Sequence, residues 1–230
     1  MLAIAHRGDW SAAPENTLAA FVAAERVGAD MIELDVRRTA DGAVAVVHDP
    51  TLERVWGVAR AVAQVTREEL RELGGDHRIP ELAEVLAAVS VPVMVDYSDA
   101  DVVEAALRVI EDAGALDRVL FSGGNLDGHR RLRECAAGAR IALTWESSQP
   151  PPAALLDELG VEYFNPCHDI VEPKVVAAMH ERGVRVSTWT VDSPVEMERV
   201  LDAGVDAVIS NRVGEIIRVL ASRRAEAPEC

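Results

Sequence analysis

The chain has few of the residues that mark secreted, disulfide-bonded or membrane proteins. Its three cysteines, Cys135, Cys167 and Cys230, form no CxxC pair and no zinc-binding pattern, so we expect free thiols in a reducing cytoplasm. No stretch reaches the roughly 18 consecutive apolar residues that a membrane helix needs. The N-terminus lacks the basic start of a signal peptide. These absences predict a cytoplasmic protein without stable insertion into a membrane.

Positive charge is also scarce. The chain has 39 acidic and 23 basic side chains, a formal net charge of -16, and a single lysine, Lys174. An acidic surface repels nucleic acids and anionic lipid headgroups, so we expect no nucleic-acid partner. An acidic protein that handles an anionic substrate needs a local positive centre, such as a metal ion.

Short apolar runs alternate with helix-period segments along the whole chain. Strands are predicted at 2–5, 31–36, 92–96, 119–122, 140–145, 161–165, 184–190 and 207–210. Helices are predicted at 15–27, 81–88, 101–113, 126–136, 153–159, 173–182, 194–203 and 214–223. This alternation predicts parallel βα units, and their number favours a closed (β/α)8 barrel over an open doubly wound sheet. No linker divides the chain, so we expect a single domain over residues 1–230, with a frayed tail at about 224–230.

One interruption follows the second predicted strand. Asp41-Gly42 is typical of a two-residue hairpin turn. Centred there, the hairpin pairs Thr39 with Val44 and Asp35 with His48. The hairpin therefore places His48 near the carboxyl end of the second strand. An insertion of about residues 50–80 is expected before the barrel resumes.

Polar side chains stand at the predicted carboxyl ends of the strands, where barrels of this class carry their functional groups. Glu33 and Asp35 are two residues apart on one strand, so they point to the same side. Converging carboxylates form an oxygen-ligand site for a hard cation, Mg²⁺ or Ca²⁺. Without a cation they repel each other, and one must hold a proton. The strand-end residues are His6, Arg7, Glu33, Asp35, His48, Asp96, Trp145, Glu146, Asn165, Trp189 and Asn211.

Each of these signals also has a purely structural interpretation. A histidine at a strand end is often a hydrogen-bonded structural residue, and a Glu-x-Asp pair often lies on a solvated face. Arg7 can simply pair with an acidic neighbour, and Trp189 can belong to the core. The segment 14–17 can be only a helix start, since proline and glutamate suit a first turn. The joint placement of these residues at one end of a predicted barrel favours a functional site.

The N-terminal motifs closely resemble the signature of the glycerophosphodiester phosphodiesterase family. About fifty residues match in order and spacing, through HRG, PENT, GADMIELDV, TADG and VVHD. Weaker matches continue through VLFSG and WTVDSPVEMERVLDAGVDAVISN. The resemblance implies a (β/α)8 barrel that hydrolyses a glycerophosphodiester to glycerol 3-phosphate and an alcohol, with one divalent cation and a small-molecule phosphodiester as partner.

The resemblance also implies individual roles. By family analogy, an internal hydroxyl attacks the phosphate first, and water then opens the cyclic phosphate. The implied roles are metal ligation by Glu33 and Asp35, acid–base catalysis by His6 and His48, phosphate contact by Arg7, and an aromatic wall against the glycerol moiety at Trp189.

The chain departs from the family pattern in VPVMVDYSDAD. Asp96 stands where the family usually has a glutamate ligand, and Ser98 stands where it has a lysine. Lys174 lies in a helix after the sixth predicted strand and is a poor replacement. Two alternatives to the phosphodiesterase therefore stay open: a non-catalytic phosphodiester-binding barrel, and a phospholipase D-like lipid phosphodiesterase. The sequence does not determine the alcohol headgroup, the choice between Mg²⁺ and Ca²⁺, which histidine is acid or base, or the oligomeric state.

Overall fold

The computed structural model describes residues 1–73 and 75–226. The predicted frayed tail, about 224–230, overlaps the end of the last helix, and its residues 227–230, with Cys230, lie outside the described residues. Cys135 and Cys167 are free thiols, as predicted. Within the described ranges, no helix is both long enough and apolar enough to cross a membrane.

Eight parallel strands form a closed barrel, which confirms the predicted fold class. Closure follows from the first strand, which pairs with the second strand on one side and with the last strand on the other. The strands are β1 (Leu2–His6), β2 (Met31–Arg38), β3 (Val44–Val46), β4 (Val93–Asp96), β5 (Val119–Gly123), β6 (Arg140–Trp145), β7 (Tyr163–Pro166), β8 (Arg185–Thr188) and β9 (Ala207–Ser210). β3 is antiparallel to β2 and lies outside the barrel wall.

The helices return the chain from one parallel strand to the next. Local signals set their ends: Asn125 caps one helix by accepting from the Gly128 N–H, and prolines open two others. The helices are α1 (Leu18–Arg26), α2 (Glu53–Trp56), α3 (Arg67–Glu72), α4 (Leu82–Ala88), α5 (Val103–Asp112), α6 (Leu126–Cys135), α7 (Ala153–Leu159), α8 (Pro173–His180), α9 (Pro194–Asp202) and α10 (Val213–Glu226).

The interior of the barrel has an apolar floor. Alternate residues of the strands point inward, and the lower ones form a buried cluster beneath the carboxyl ends. Two residues further along several strands, polar side chains take the same inward direction, as His6 does above Ile4 and Asp96 above Met94. The cluster consists of Ile4, Met31, Met94, Leu120, Ala142, Tyr163, Ala207 and Ile209. A polar layer therefore rests on a closed apolar base.

The hairpin register differs from the prediction by one residue. The predicted pairs, Thr39 with Val44 and Asp35 with His48, are wrong: Arg37 pairs with Ala45, and the Thr39 N–H donates to the Ala43 carbonyl. The reason is a three-residue loop instead of a two-residue turn. It ends on Gly42, whose φ of 83° is left-handed.

The insertion after the hairpin builds a small apolar core of its own. α2 and α3 pack over the hairpin strand, which fixes the chain between His48 and Arg54. This second core contains Ala45, Val47, Leu52, Val62, Val65, Leu70 and Ile79.

Candidate active site

The carboxyl ends of the barrel strands enclose a cavity of about 700 Å³. The eight residues at the positions of the family's site residues all line it, whereas Asn211, another predicted strand-end residue, does not. One cavity thus brings together side chains that are far apart in the chain. They are His6, Arg7, Glu33, Asp35, His48, Asp96, Ser98 and Trp189.

A sharp turn ends β1 at the cavity. Arg7 and Gly8 both have left-handed backbone, with φ of 57° and 91°. A Cβ on Gly8 would lie 2.6 Å from the Ala20 Cβ, so only glycine fits there. The turn directs the Arg7 N–H to Glu33 Oε2 at 3.0 Å. The buried strand β1 is therefore followed by a turn at the cavity, and the two polar residues at this turn, His6 and Arg7, line the cavity.

His6 is held in one tautomer. Asp192 only accepts hydrogen bonds, so the Asn211 amide group, which donates to Asp192 at 2.7 Å, turns its oxygen towards His6. His6 Nδ1 therefore carries the hydrogen and donates to Asn211 Oδ1 at 2.6 Å. The free Nε2 lies 3.9 Å from Glu33 Oε2. Burial, followed by the charge of Arg7, lowers the pKa of His6, so the imidazole is neutral and able to accept a proton at Nε2.

Glu33, Asp35 and Asp96 concentrate negative charge at one side of the cavity. Asp35 and Asp96 are register partners on neighbouring strands, and Glu33 lies on the same face as Asp35. Burial, followed by the charges of Asp35 and Asp96, raises the pKa of Glu33 well above its ordinary value. Burial, followed by the charge of Asp35, raises the pKa of Asp96 to about 6.

One guanidinium is not enough to balance these acids. Arg7 Nε lies 3.0 Å from Asp35 Oδ2, yet it is a buried donor without a hydrogen-bond partner in the part of the chain that the structure describes. An all-oxygen donor set with excess negative charge suits a hard divalent cation. The residues present therefore fit the metal that the sequence predicted.

The PENT segment precedes the first helix and contacts the acids and the arginine that line the cavity. The helix predicted at 15–27 begins at Leu18, with Thr17 as its N-cap. Asn16 has a left-handed φ of 56°, and its amide group donates to Asp35 Oδ2 at 2.8 Å. The segment therefore starts the helix, as its structural interpretation holds, and Asn16 also binds a carboxylate of the cavity.

A chain of ion pairs joins Arg7 to His48. Arg7 donates to Glu15 at 3.0 Å, and Arg54 donates to the same carboxylate at 2.7 and 2.9 Å. Arg54 also donates to Asp49, which accepts from His48 Nδ1 at 2.6 Å. The Arg54 hydrogen bond is the main reason that the pKa of Asp49 falls to about 2. His48 therefore presents Nε2 to the cavity.

Sequence reasoning missed Glu15, Asp49 and Arg54. Glu15 lies in the PENT motif and Asp49 ends the VVHD motif. The available signal was therefore an acidic residue within each of two recognised motifs, with an arginine shortly after the second. Packing of the insertion against distant parts of the chain positions Arg54 next to Glu15. No local sequence pattern indicates that packing.

Two other predicted residues, Ser98 after β4 and Trp189 after β8, are uncharged parts of the cavity wall. The Ser98 carbonyl accepts from Asn125 at 2.9 Å, and the Trp189 indole N–H donates to the Asn165 carbonyl at 3.0 Å. Lys174 is exposed and pairs with Glu172 at 2.7 Å, outside the cavity wall. No lysine therefore replaces the one that the family resemblance leads us to expect at Ser98.

Two further pairs at strand ends have different positions. Trp145 and Glu146 line the cavity. His168 and Asp169 do not, although their possible ligand atoms and that of Cys167 all lie within 4.8 Å of one another. Trp145 and Glu146 therefore belong to the cavity wall, and His168 and Asp169 lie outside it.

Comparison with known proteins identifies the kind of barrel. The sequence model of the glycerophosphoryl diester phosphodiesterase family matches residues 6–215. A glycerophosphodiester phosphodiesterase of Caldanaerobacter subterraneus is 31% identical, with 95% of this chain and 97% of that protein covered. Glycerophosphodiester phosphodiesterase 1 of Rattus norvegicus is 36% identical, with 83% and 72% covered.

Solved structures share the fold. An Oleispira antarctica phosphodiesterase in complex with the product sn-glycerol-3-phosphate superposes with a TM-score of 0.89 at 22% identity, covering 95% of this chain and 96% of that one. A Thermotoga maritima glycerophosphodiester phosphodiesterase gives a TM-score of 0.83 at 24% identity, covering 95% and 98%. At these identities the likeness shows the barrel architecture.

Proposed function

Since the chain belongs to the glycerophosphoryl diester phosphodiesterase family, we propose that its cavity hydrolyses glycerophosphodiesters to sn-glycerol 3-phosphate and an alcohol. One observation carries this proposal: two histidines, one arginine and three carboxylates from β1, β2, the hairpin and β4 line a single cavity. The Oleispira relative was solved with sn-glycerol-3-phosphate as product, which supports the same product class for this chain.

Three residues would hold the divalent cation: Glu33, Asp35 and Asp96. When bound, Mg²⁺ or Ca²⁺ supplies charge neutralisation for the phosphate and acidifies a nearby hydroxyl. Asp35 is already oriented for ligation by the Asn16 amide. The raised pKa values of Glu33 and Asp96 reflect charge that a cation would offset.

His6 and His48 would carry the protons. His6 is neutral and offers Nε2, so we assign it the removal of a proton from the attacking hydroxyl. His48 Nδ1 is bound to the Asp49 carboxylate, so Nε2 is the nitrogen available to the cavity. We assign the doubly protonated form of His48 the delivery of its Nε2 proton to the leaving alkoxide, which leaves the ring neutral with its hydrogen on Nδ1. The lowered pKa of His6 supports its assignment as the base.

Arg7 would orient the phosphate. Its unpartnered Nε–H is a buried donor beside the carboxylates, and a phosphate oxygen is a strong acceptor for it. Trp189 presents a ring fixed by its bond to the Asn165 carbonyl and would pack against the glycerol moiety. Ser98 offers a hydroxyl in place of a cation.

The test is release of glycerol 3-phosphate from a panel of glycerophosphodiesters, with Mg²⁺, Ca²⁺ or EDTA. We expect release that requires the cation and is lost in His6→Ala. His180→Ala is the matched control, because His180 is exposed and lies at the end of α8 away from the cavity. A cation-binding protein that releases nothing from any diester would instead be the non-catalytic binding barrel.

The lipid alternative lacks support in the structure. A barrel that docks on lipid needs an apolar rim around its mouth. Large apolar side chains that are well exposed among the described residues are scattered singly: Met1, Trp10, Val27 and Val195.

A further inference from the structure

The cavity wall carries more negative than positive charge. In the described part of the chain, Glu33, Asp35, Asp96 and Glu146 line it, with Arg7 as the one permanent cation. A divalent cation offsets two of these charges, and a bound phosphodiester returns one. A substrate with a neutral alcohol therefore leaves the cavity with uncompensated negative charge, and a cationic alcohol reduces it.

Glu146 is the acid best placed to meet the alcohol. It follows Trp145 at the end of β6, and the strand order puts β6 four positions from β1 in either direction around the barrel. Glu146 thus lies across the mouth from His6 and Arg7. It is exposed and has no hydrogen bond or ion pair with any residue that the structure describes.

Trp145, the chain neighbour of Glu146, lines the same cavity. The Trp145 indole N–H donates to the Gln149 carbonyl at 2.7 Å, which fixes the ring in the cavity wall. A carboxylate next to an aromatic face is the chemistry that recognises an ammonium or quaternary ammonium group.

We propose that Glu146 and Trp145 form a headgroup subsite that selects glycerophosphodiesters of cationic amino alcohols. The inference rests on the proposed function, because it names the alcohol that the same cavity accepts. Glu146 is the specificity-determining residue, and it takes no part in the bond-breaking step.

The experiment compares two esters of equal shape. Glycerophosphocholine carries a quaternary ammonium, and glycerophospho-3,3-dimethylbutanol replaces its nitrogen by carbon. The ratio of kcat/KM for the two esters is measured in the wild type, in Glu146→Gln and in Glu111→Gln. Glu111 is exposed at the far end of α5 and is the matched control. The two alcohols also differ in leaving ability, so the change in the ratio is the diagnostic quantity.

We expect Glu146→Gln to lower the choline preference about two- to fivefold, the size of one exposed ion pair. Glu111→Gln should leave the preference unchanged. Raising the salt concentration should lower the wild-type ratio and leave the Glu146→Gln ratio constant, because salt screens exposed charges.

The other outcomes are distinct. If both esters are hydrolysed and Glu146→Gln does not change their ratio, the subsite is refuted and the phosphodiesterase stands. If neither ester yields glycerol 3-phosphate, both proposals fall together.

Discussion

Replacing Asp96 by asparagine should stabilise the metal-free protein at neutral pH. Asp96 has a folded-state pKa of about 6, against an ordinary value of 3.8. The folded protein therefore binds the Asp96 proton more tightly than the unfolded chain does. The resulting stability is present below pH 3.8 and is lost as the pH rises through 6. The difference corresponds to about 3 kcal/mol, and since Asp96 is only partly buried and faces the cavity, we expect about 1 to 3 kcal/mol.

The assay is urea unfolding of wild type and Asp96→Asn at several pH values. In EDTA at pH 7.5 the variant should be the more stable protein, and its advantage should shrink towards pH 4. With saturating Mg²⁺ or Ca²⁺ the order should reverse, because the wild type then gains the binding free energy of the cation. Asp112→Asn, at the exposed end of α5, should change the free energy of unfolding by less than about 0.5 kcal/mol.

The reversal on adding the cation is the decisive part. A variant that is less stable than wild type in EDTA at pH 7.5 would show that the carboxylates do not repel each other in the folded protein. A variant that keeps its advantage at saturating cation would show that Asp96 is not a ligand.

Three other predictions concern charge and protonation. Ser98→Lys should raise kcat, by up to about 10²-fold if only a cation near the phosphate is missing, and an unchanged kcat would show that the position does not contact the reacting phosphate. Arg54→Ala leaves Glu15 paired only with Arg7 and Asp49 only with His48, so both acids lose one hydrogen-bond donor. The variant should lower kcat/KM about tenfold or more, with partial recovery in Arg54→Lys; full activity in the alanine variant would refute a positioning role. His129, buried with its Nδ1 accepting from the Tyr97 hydroxyl at 2.6 Å, has a pKa lowered to about 4, mainly by burial. The contribution of His129 to stability should therefore fall by up to about 3 kcal/mol as the pH drops from 6.5 to 4, while that of Asp96 rises over much of the same range. The difference in free energy of unfolding between wild type and the Tyr97→Phe/His129→Leu double variant, measured in urea, isolates the His129 contribution and should shift against wild type as the pH drops.

The barrel could be predicted because its signal repeats along the chain. Each unit pairs a short apolar run with a helix-period segment. An error of a few residues at one end of a predicted strand or helix therefore does not change the number of predicted βα units. The strand predicted at 184–190 ends at Thr188, and the one predicted at 161–165 begins at Tyr163. Neither shift moves a polar side chain out of the cavity, because the inward direction depends only on the two-residue alternation of the strand.

Side-chain hydrogen bonds explain the two local features that the sequence did not predict, the length of the hairpin loop and the start of the first helix. Thr39 accepts from the Ala43 N–H at 2.8 Å and donates to Asp41, which stabilises a longer loop than the Asp-Gly pair alone suggests. Asn16 interrupts a segment with good helix-start residues because its amide binds Asp35. Both effects depend on a partner that sequence spacing alone does not identify.

The buried apolar cluster closes the lower end of the cavity, so the cavity opens at the carboxyl ends of the strands. Substrate, water and both products must pass through the same mouth, between the loop that bears Trp10 and the wall that bears Glu146. In the proposed binding mode the phosphate lies against the carboxylates and the alcohol lies nearer the opening, so the alcohol departs first. In that binding mode glycerol 3-phosphate leaves last and competes with each incoming diester, so the proposed function predicts that added glycerol 3-phosphate inhibits the reaction competitively.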